Sequence, residues 1–160
     1  MLFGSSKPVI GKASGLIRLP LEVVYKFVAE DFFENYPRWS SEVVDLKRLS
    51  DGPLGKGSML RQVRIDHGRK SDSTFMITDL QPHSRIAFDG VSNKYRCIYD
   101  FEEPSGSATV TRVTFTFEFT ELEPILRPFE KLVRVAVQDG ADRTVKNLKG
   151  LIEREAPSSA

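Results

Sequence analysis

The chain has 160 residues, 40% of them hydrophobic and 28% charged, and its 23 Lys and Arg stand against 22 Asp and Glu for a net charge of +1. That length fits one domain with its own core, excludes a second of ordinary size, and the composition excludes a disordered chain. The charge balance carries no bulk footprint for nucleic acid or an anionic membrane, and leaves open only a local basic patch.

One cysteine, Cys97, excludes an intrachain disulfide and a cysteine-built zinc site. His67 and His83 are not at ligand spacing, so no metal and no cofactor is expected. The opening Met-Leu-Phe-Gly-Ser-Ser-Lys has no apolar stretch long enough for a signal peptide. No run approaches the roughly 20 apolar residues of a membrane helix. The expectation is a reduced, cytoplasmic protein with no integral membrane segment and no nucleic-acid partner. Its oligomeric state is not fixed by these arguments.

In chain order, Pro8 to Leu19 reads as a strand, and Pro20 opens a helix through Glu30 with Val23, Val24, Phe27 and Val28 at helical spacing. Asp31 to Tyr36 reads as a second short helix ended by Pro37. Strands follow over Val43–Leu49, Ser58–Asp66, Lys70–Leu80, Arg85–Asp89, Tyr95–Glu102 and Ala108–Thr120, separated by Gly, Pro, Asn and Asp turn clusters. Short connections predict an antiparallel meander of six strands, joined by the first. From Leu122 to Arg154 apolar residues recur at threes and fours, from Ile125 and Phe129 through Val133 and Val137 to Leu148 and Ile152, which predicts one helix of about eight turns.

The order strand, two small helices, six strands and one long helix predicts an α+β fold, a curved antiparallel sheet wrapped around its C-terminal helix. One domain is expected over 8–155, with tails at 1–7 and 156–160. A curved sheet grips a straight helix poorly along part of its length, which leaves a cavity between them. Gly140 and Ala141 lie on the apolar stripe and fill almost nothing. Gly140 has two readings, close packing on the sheet or a thinned wall over a ligand cavity.

Strand alternation assigns faces. The inward sets are read as Met59, Arg61, Val63 and Ile65; as Ser71, Ser73, Phe75 and Ile77; and as Tyr95, Cys97, Tyr99 and Phe101. The polar members, Arg61, Ser73, Tyr95, Cys97 and Tyr99, resemble the few convergent polar groups of a small-molecule pocket. Arg61 reads either as a structural ion pair with an acid such as Asp79, Asp89 or Glu34, or as a fork for a ligand's anionic head. Tyr95 and Tyr99 read as core aromatics with satisfied hydroxyls or as general acids. Cys97 reads as an inert buried thiol. Trp39 reads as a plug where the small helices meet the sheet, or as a wall against a ligand ring. Asp31 and Glu34 read as a solvated pair.

The chain resembles the SRPBCC or START-like helix-grip superfamily, and within it the polyketide cyclase/dehydrase and lipid-transport group. The carriers are Leu19–Glu30, Tyr36-Pro37-Arg38-Trp39-Ser40, Ser50–Ser58, Ile77–Pro82 and Asn147-Leu148-Lys149 in that order and spacing. Asp31–Asn35 looks longer than the family's usual segment, and an insertion there is expected at the pocket mouth. The resemblance implies the helix-grip fold and a small hydrophobic or amphipathic ligand, such as a lipid, isoprenoid or polyketide. The lining expected from the faces is Arg61, Val63, Ser73, Phe75, Tyr95, Cys97, Tyr99, Phe117, Val133, Val137 and Gly140, with Trp39 near one end and Arg61 orienting a polar head. Two other classes stay open: a cyclase or dehydratase working through Arg61, Tyr95 and Tyr99, and a regulatory module binding a protein partner through the convex face.

Overall fold

A computed structural model describes residues 8–155; the expected tails at 1–7 and 156–160 lie outside the described residues. Strand β1 (Val9–Ile17) leads into helix α1 (Leu21–Tyr25), a π-helical turn (Lys26–Glu30) and helix α2 (Phe32–Trp39). Then come β2 (Val43–Arg48), β3 (Met59–Asp66), β4 (Arg69–Gln81), β5 (Arg85–Gly90), β6 (Tyr95–Glu102) and β7 (Thr111–Phe119). A 3-10 turn (Pro124–Phe129) and helix α3 (Glu130–Glu155) complete it. The sheet order is β1-β7-β6-β5-β4-β3-β2, antiparallel throughout, with β1 beside β7. This is the curved sheet and long C-terminal helix expected of the helix-grip fold.

Local differences from the expected elements have physical causes. The Asp31 amide bonds the Lys26 carbonyl at 2.8 Å, an i to i−5 bond that widens the turn. The Asn35 Nδ2 donates to the Phe27 carbonyl at 3.0 Å and helps hold that turn. Pro37 does not end the second helix, which runs on to Trp39. A helix-compatible φ lets the ring in, and burying Phe32, Tyr36 and Trp39 at i, i+4 and i+7 outweighs one missing backbone bond. The C-terminal helix is not continuous from Leu122. Pro124 and Pro128 withhold two amide donors, so the chain takes the tighter turn until Glu130. The last strand starts at Thr111, not Ala108.

Helix α3 lies mainly on β1, and β1 is built for it. A Cβ on Gly11 would stand 2.6 Å from the Val137 carbonyl oxygen, and one on Gly15 would stand 2.7 Å from Val145 Cγ1. Only glycine permits that approach. Side chains of α3 also occupy the outer edge of β1. Gln138 both accepts from the Lys12 amide and donates to the Lys12 carbonyl, at 3.1 and 2.9 Å. Arg134 reaches the Pro8 carbonyl, Lys149 the Leu16 carbonyl, and Glu153 the Arg18 amide.

The core sits where β1 ends. Leu148, Leu151 and Ile152 pack among Ile17, Val24, Tyr25, Phe101 and Val113, all buried. The middle of the concave face is filled from α2. Phe32 stacks on Tyr36 with ring centroids 4.7 Å apart and meets Phe88 at 5.5 Å and Phe75 at 6.2 Å. The segment expected as an insertion at the mouth therefore supplies core: Phe32 is fully buried and Asn35 nearly so.

Candidate functional site

The inward faces of β4 and β6 are as expected, and that of β3 is inverted. Leu60 and Gln62 are buried and Arg64 is half-buried, whereas Arg61 and Ile65 are exposed. The cause is the β3–β4 turn. His67 and Gly68 both take positive φ, at 52° and 79°, the signature of a two-residue hairpin loop. Asp66 then pairs with Arg69, Gln62 with Ser73 and Leu60 with Phe75. Cross-strand partners share a face, so an inward Phe75 requires even-numbered residues inward on β3. A three-residue turn would have given the opposite parity.

Two expected lining residues are thereby displaced. Arg61 lies on the convex face, where its Nε donates to Asp72 at 2.8 Å and Asp72 holds the guanidinium above its ordinary value. Its partner is an acid outside the three weighed from sequence, and it faces no cavity. Val63 lies opposite Asp72 and shares that outer face.

In their place the fold assembles a hydrogen-bonded ladder across the concave face. Arg64 Nη1 donates to the Tyr36 hydroxyl at 3.3 Å and to Ser40 Oγ at 3.4 Å. The Tyr36 hydroxyl donates to Gln62 Oε1 at 3.0 Å, and Gln62 Nε2 donates to the Tyr95 hydroxyl at 3.1 Å. Tyr95 also bonds Ser73. One tier deeper, Trp39 Nε1 donates to the Tyr99 hydroxyl at 3.1 Å. No buried side-chain nitrogen or oxygen among the described residues lacks a partner. Tyr36, Gln62 and Arg64 are not among the residues singled out from sequence; the His67-Gly68 turn is the signal that could have found the last two.

Burial sets the electrostatics. It pushes the Tyr95 hydroxyl up to about 12 and raises Tyr36 and Tyr99 further, so all three stay protonated in neutral solution. Burial likewise pushes the Cys97 thiol up to about 12, which keeps it un-ionised and a poor nucleophile. Burial opposes the charge on Arg64, but Tyr36, Asp66 and Glu42 outweigh it and hold the guanidinium charged. Asp66 accepts from Nε and Nη2 at 3.1 Å each, and Glu42 lies 3.6 Å away. The structure thus brings an arginine to the concave rim, three residues beyond the expected one, and pairs it there with two carboxylates.

Beside the ladder lie Tyr95 and Phe117, stacked with centroids 5.9 Å apart, and the first half of α3. Here α3 rides on Gly11, and Val133, Val137 and Gly140 are only half-buried. A Cβ on Gly140 would meet nothing nearer than an Arg143 nitrogen at 4.0 Å, so close packing on the sheet is not its reason; Gly11 and Gly15 fill that role. Phe75, Cys97, Tyr99 and Trp39 are buried beneath, as core. Two open depressions, of 530 Å³ over Arg127–Leu132 and 310 Å³ by Asp89–Arg96 and Thr120, lie at this end. No group of three or more metal-ligating side chains occurs among the described residues, and no helix is long and apolar enough to cross a membrane.

No curated protein matches the chain. Many solved structures match, among them three over nearly their whole length. TTHA0849 from Thermus thermophilus is 22% identical, with a TM-score of 0.74, 92% of this chain covered and 99% of that one. A START superfamily protein from Mycobacterium smegmatis is 16% identical, with a TM-score of 0.74 and coverages of 91% and 97%. The Zhui aromatase/cyclase from Streptomyces sp. R1128 is 14% identical, with a TM-score of 0.71 and coverages of 96% and 98%. At such identities the likeness is one of fold. The sequence itself matches the family described as polyketide cyclase/dehydrase and lipid transport over residues 12–153, and the chain belongs to that family.

Proposed function

We propose that the protein binds a small hydrophobic or amphipathic molecule, of lipid, isoprenoid or polyketide-like class, at the open end between the concave sheet and the first half of α3. The observation that carries this reading is the ladder from Arg64 through Tyr36 and Gln62 to Tyr95, set beside Phe117, Val133, Val137 and Gly140. Apolar walls with a few fixed polar groups suit a ligand that is mostly greasy with one polar end. Tyr95 and Arg64 are the half-buried members; Arg64 is held by Asp66 and Glu42, so the Tyr95 hydroxyl is the handle within a ligand's reach. A cytoplasmic location belongs to the same reading, on the strength of a single, buried, unpaired cysteine.

The rival reading is a cyclase or dehydratase, a class named in the family's description. Its support here is the hydrogen-bonded run from a charged guanidinium to a tyrosine, which suits a developing oxyanion. A carrier accounts for more of the site. A tyrosine raised to about 12 is a weak proton donor near neutrality, and Glu42 and Asp66 are held by Arg64. The convex face, which a protein-binding module would use, carries the paired charges Arg61–Asp72, Arg96–Asp89 and Arg85–Asp100.

The test is a titration with the amphipathic anion 8-anilinonaphthalene-1-sulfonate. The wild type is expected to bind one equivalent saturably. Gly140→Leu, which projects a side chain into open space, is expected to bind roughly tenfold more weakly or worse, a loss of about 1.4 kcal/mol or more, with unchanged circular dichroism. Equal binding by the variant would place the ligand elsewhere.

A further inference from the structure

The hydrogen bonds of the ladder have a direction, fixed at one end, and that end decides what the other can offer. A guanidinium has donors only. Arg64 Nη1 lies 3.3 Å from the Tyr36 hydroxyl, so the Tyr36 oxygen accepts and its own proton must go elsewhere. Among the described residues, the one other partner of that buried hydroxyl is Gln62 Oε1, at 3.0 Å. With Oε1 accepting, Gln62 meets Tyr95 through its amide nitrogen at 3.1 Å, and the Tyr95 oxygen accepts in turn. The opposite orientation of the Gln62 amide would leave the Tyr36 proton buried without an acceptor, which burial penalises.

Each step thus passes one donor outward, and Tyr95 is left with a proton to give. Its remaining neighbour is the half-buried Ser73. A Ser73 hydroxyl that took this proton would hold out its own instead, so the run ends in an O–H in either case. Packing holds that end in place. A Cβ on Gly90 of β5 would stand 2.5 Å from Tyr95 Cε1 and 2.6 Å from the Asn93 carbonyl oxygen. Glycine there lets the ring lie low across β5, from β6 toward Ser73 on β4 and Gln62 on β3. On its other flank the ring stacks on Phe117. The hydroxyl is therefore aimed by the fold before any ligand arrives.

Resting on the binding reading above, we infer that the site selects ligands whose polar end is an oxygen acceptor without a proton of its own, such as a ketone, ester or carboxylate oxygen. Ends that only donate, such as an ammonium or a ring N–H, are selected against. Two donors set face to face leave both unpaired, and a site built to hydrogen-bond one kind of group rejects the other more sharply than an apolar wall can.

The test is displacement of 8-anilinonaphthalene-1-sulfonate from the full chain by tricycles of one shape: fluorenone, which only accepts, carbazole, which only donates, and fluorene, which does neither. Fluorenone is expected to bind roughly tenfold more tightly than carbazole. Tyr95→Phe is expected to bring fluorenone down to the affinity of fluorene, while fluorene itself does not move. Gln62→Glu sets an acceptor against both tyrosines and turns the Tyr95 proton inward, and is expected to reverse the preference toward carbazole. Carbazole bound by the wild type as tightly as fluorenone overturns the inference, as does a fluorenone preference that survives Tyr95→Phe. A preference unchanged in a folded Gln62→Glu overturns it too; should that variant not fold, Tyr95→Phe decides alone. Failure of the naphthalene probe itself to bind the wild type overturns the binding reading and this inference together. Binding of the probe with equal displacement by all the tricycles, or with none, overturns this inference alone.

Discussion

The two halves of α3 are written in the same alphabet and meet opposite fates. Leu148 and Ile152 in the second half are fully buried, while Leu132 in the first is 69% exposed and Val133 half-buried. The difference lies in what stands opposite. The second half faces Ile17, Val24, Phe101 and Val113, and is tied to α2 by the Asn147 Nδ2 donating to the Trp39 carbonyl at 3.3 Å. The first half rests on the start of β1, where Val137 meets Gly11 and Gln138 meets Lys12, and among the described residues no hydrogen bond ties it to α2. A helical stripe states what a helix can bury; what stands opposite decides how much of it is buried.

If the closed end is packed core and the ladder marks a working end, substitutions should separate the two. The largest effect is expected from Phe32→Ala, which empties the aromatic cluster under α2 and should cost about 3–5 kcal/mol in denaturant unfolding. A cost below about 1 kcal/mol would show that the middle of the concave face is not a packed core. Next is Tyr36→Phe. It removes the donor to Gln62 and an acceptor of Arg64, and is expected to cost about 1–3 kcal/mol and to weaken the naphthalene probe as well. Loss of stability with undiminished probe affinity would reduce the ladder to architecture. The smallest effect is expected from Arg61→Ala, an exposed pair on the convex face, at under about 1 kcal/mol and with no change in probe binding. A change in binding there would reopen the parity of β3.

The strands, their order and the long helix are legible because each rests on periodicity within one segment or on a short connection. β6 is bounded as the alternation of Tyr95, Cys97, Tyr99 and Phe101 implies, and β1 joins β7 as a meander's free first strand can. The site is legible in part. Ser73, Tyr95 and Phe117 lie by the ladder, and Trp39 plugs the junction between α2 and the sheet. Arg61 and Val63 are misplaced by the sequence because the odd positions of β3 carry Met59, Val63 and Ile65 and the even ones only Leu60, so counting apolar residues favours the wrong face. The number of residues in the turn decides the face instead, and a strand begun at Lys70 makes the turn three residues where His67-Gly68 makes it two. Gly140 suggests close packing because it lies on the helix. The glycines that let helix and sheet meet are Gly11 and Gly15, on the strand. Tyr36 escapes notice because a helix is expected to stop at Pro37, which hides the face it shares with Phe32 and Trp39.

The side chains of Arg134, Gln138, Lys149 and Glu153 along the outer edge of β1 bear on assembly as well as on folding. A sheet with two bare margins can be extended without limit, copy after copy. Here side chains of the molecule's own helix answer backbone groups of Pro8, Lys12, Leu16 and Arg18 along one margin, and β2 forms the other. Two copies joined through β2 would each turn the partly guarded margin outward, which favours a pair over a longer chain of added strands.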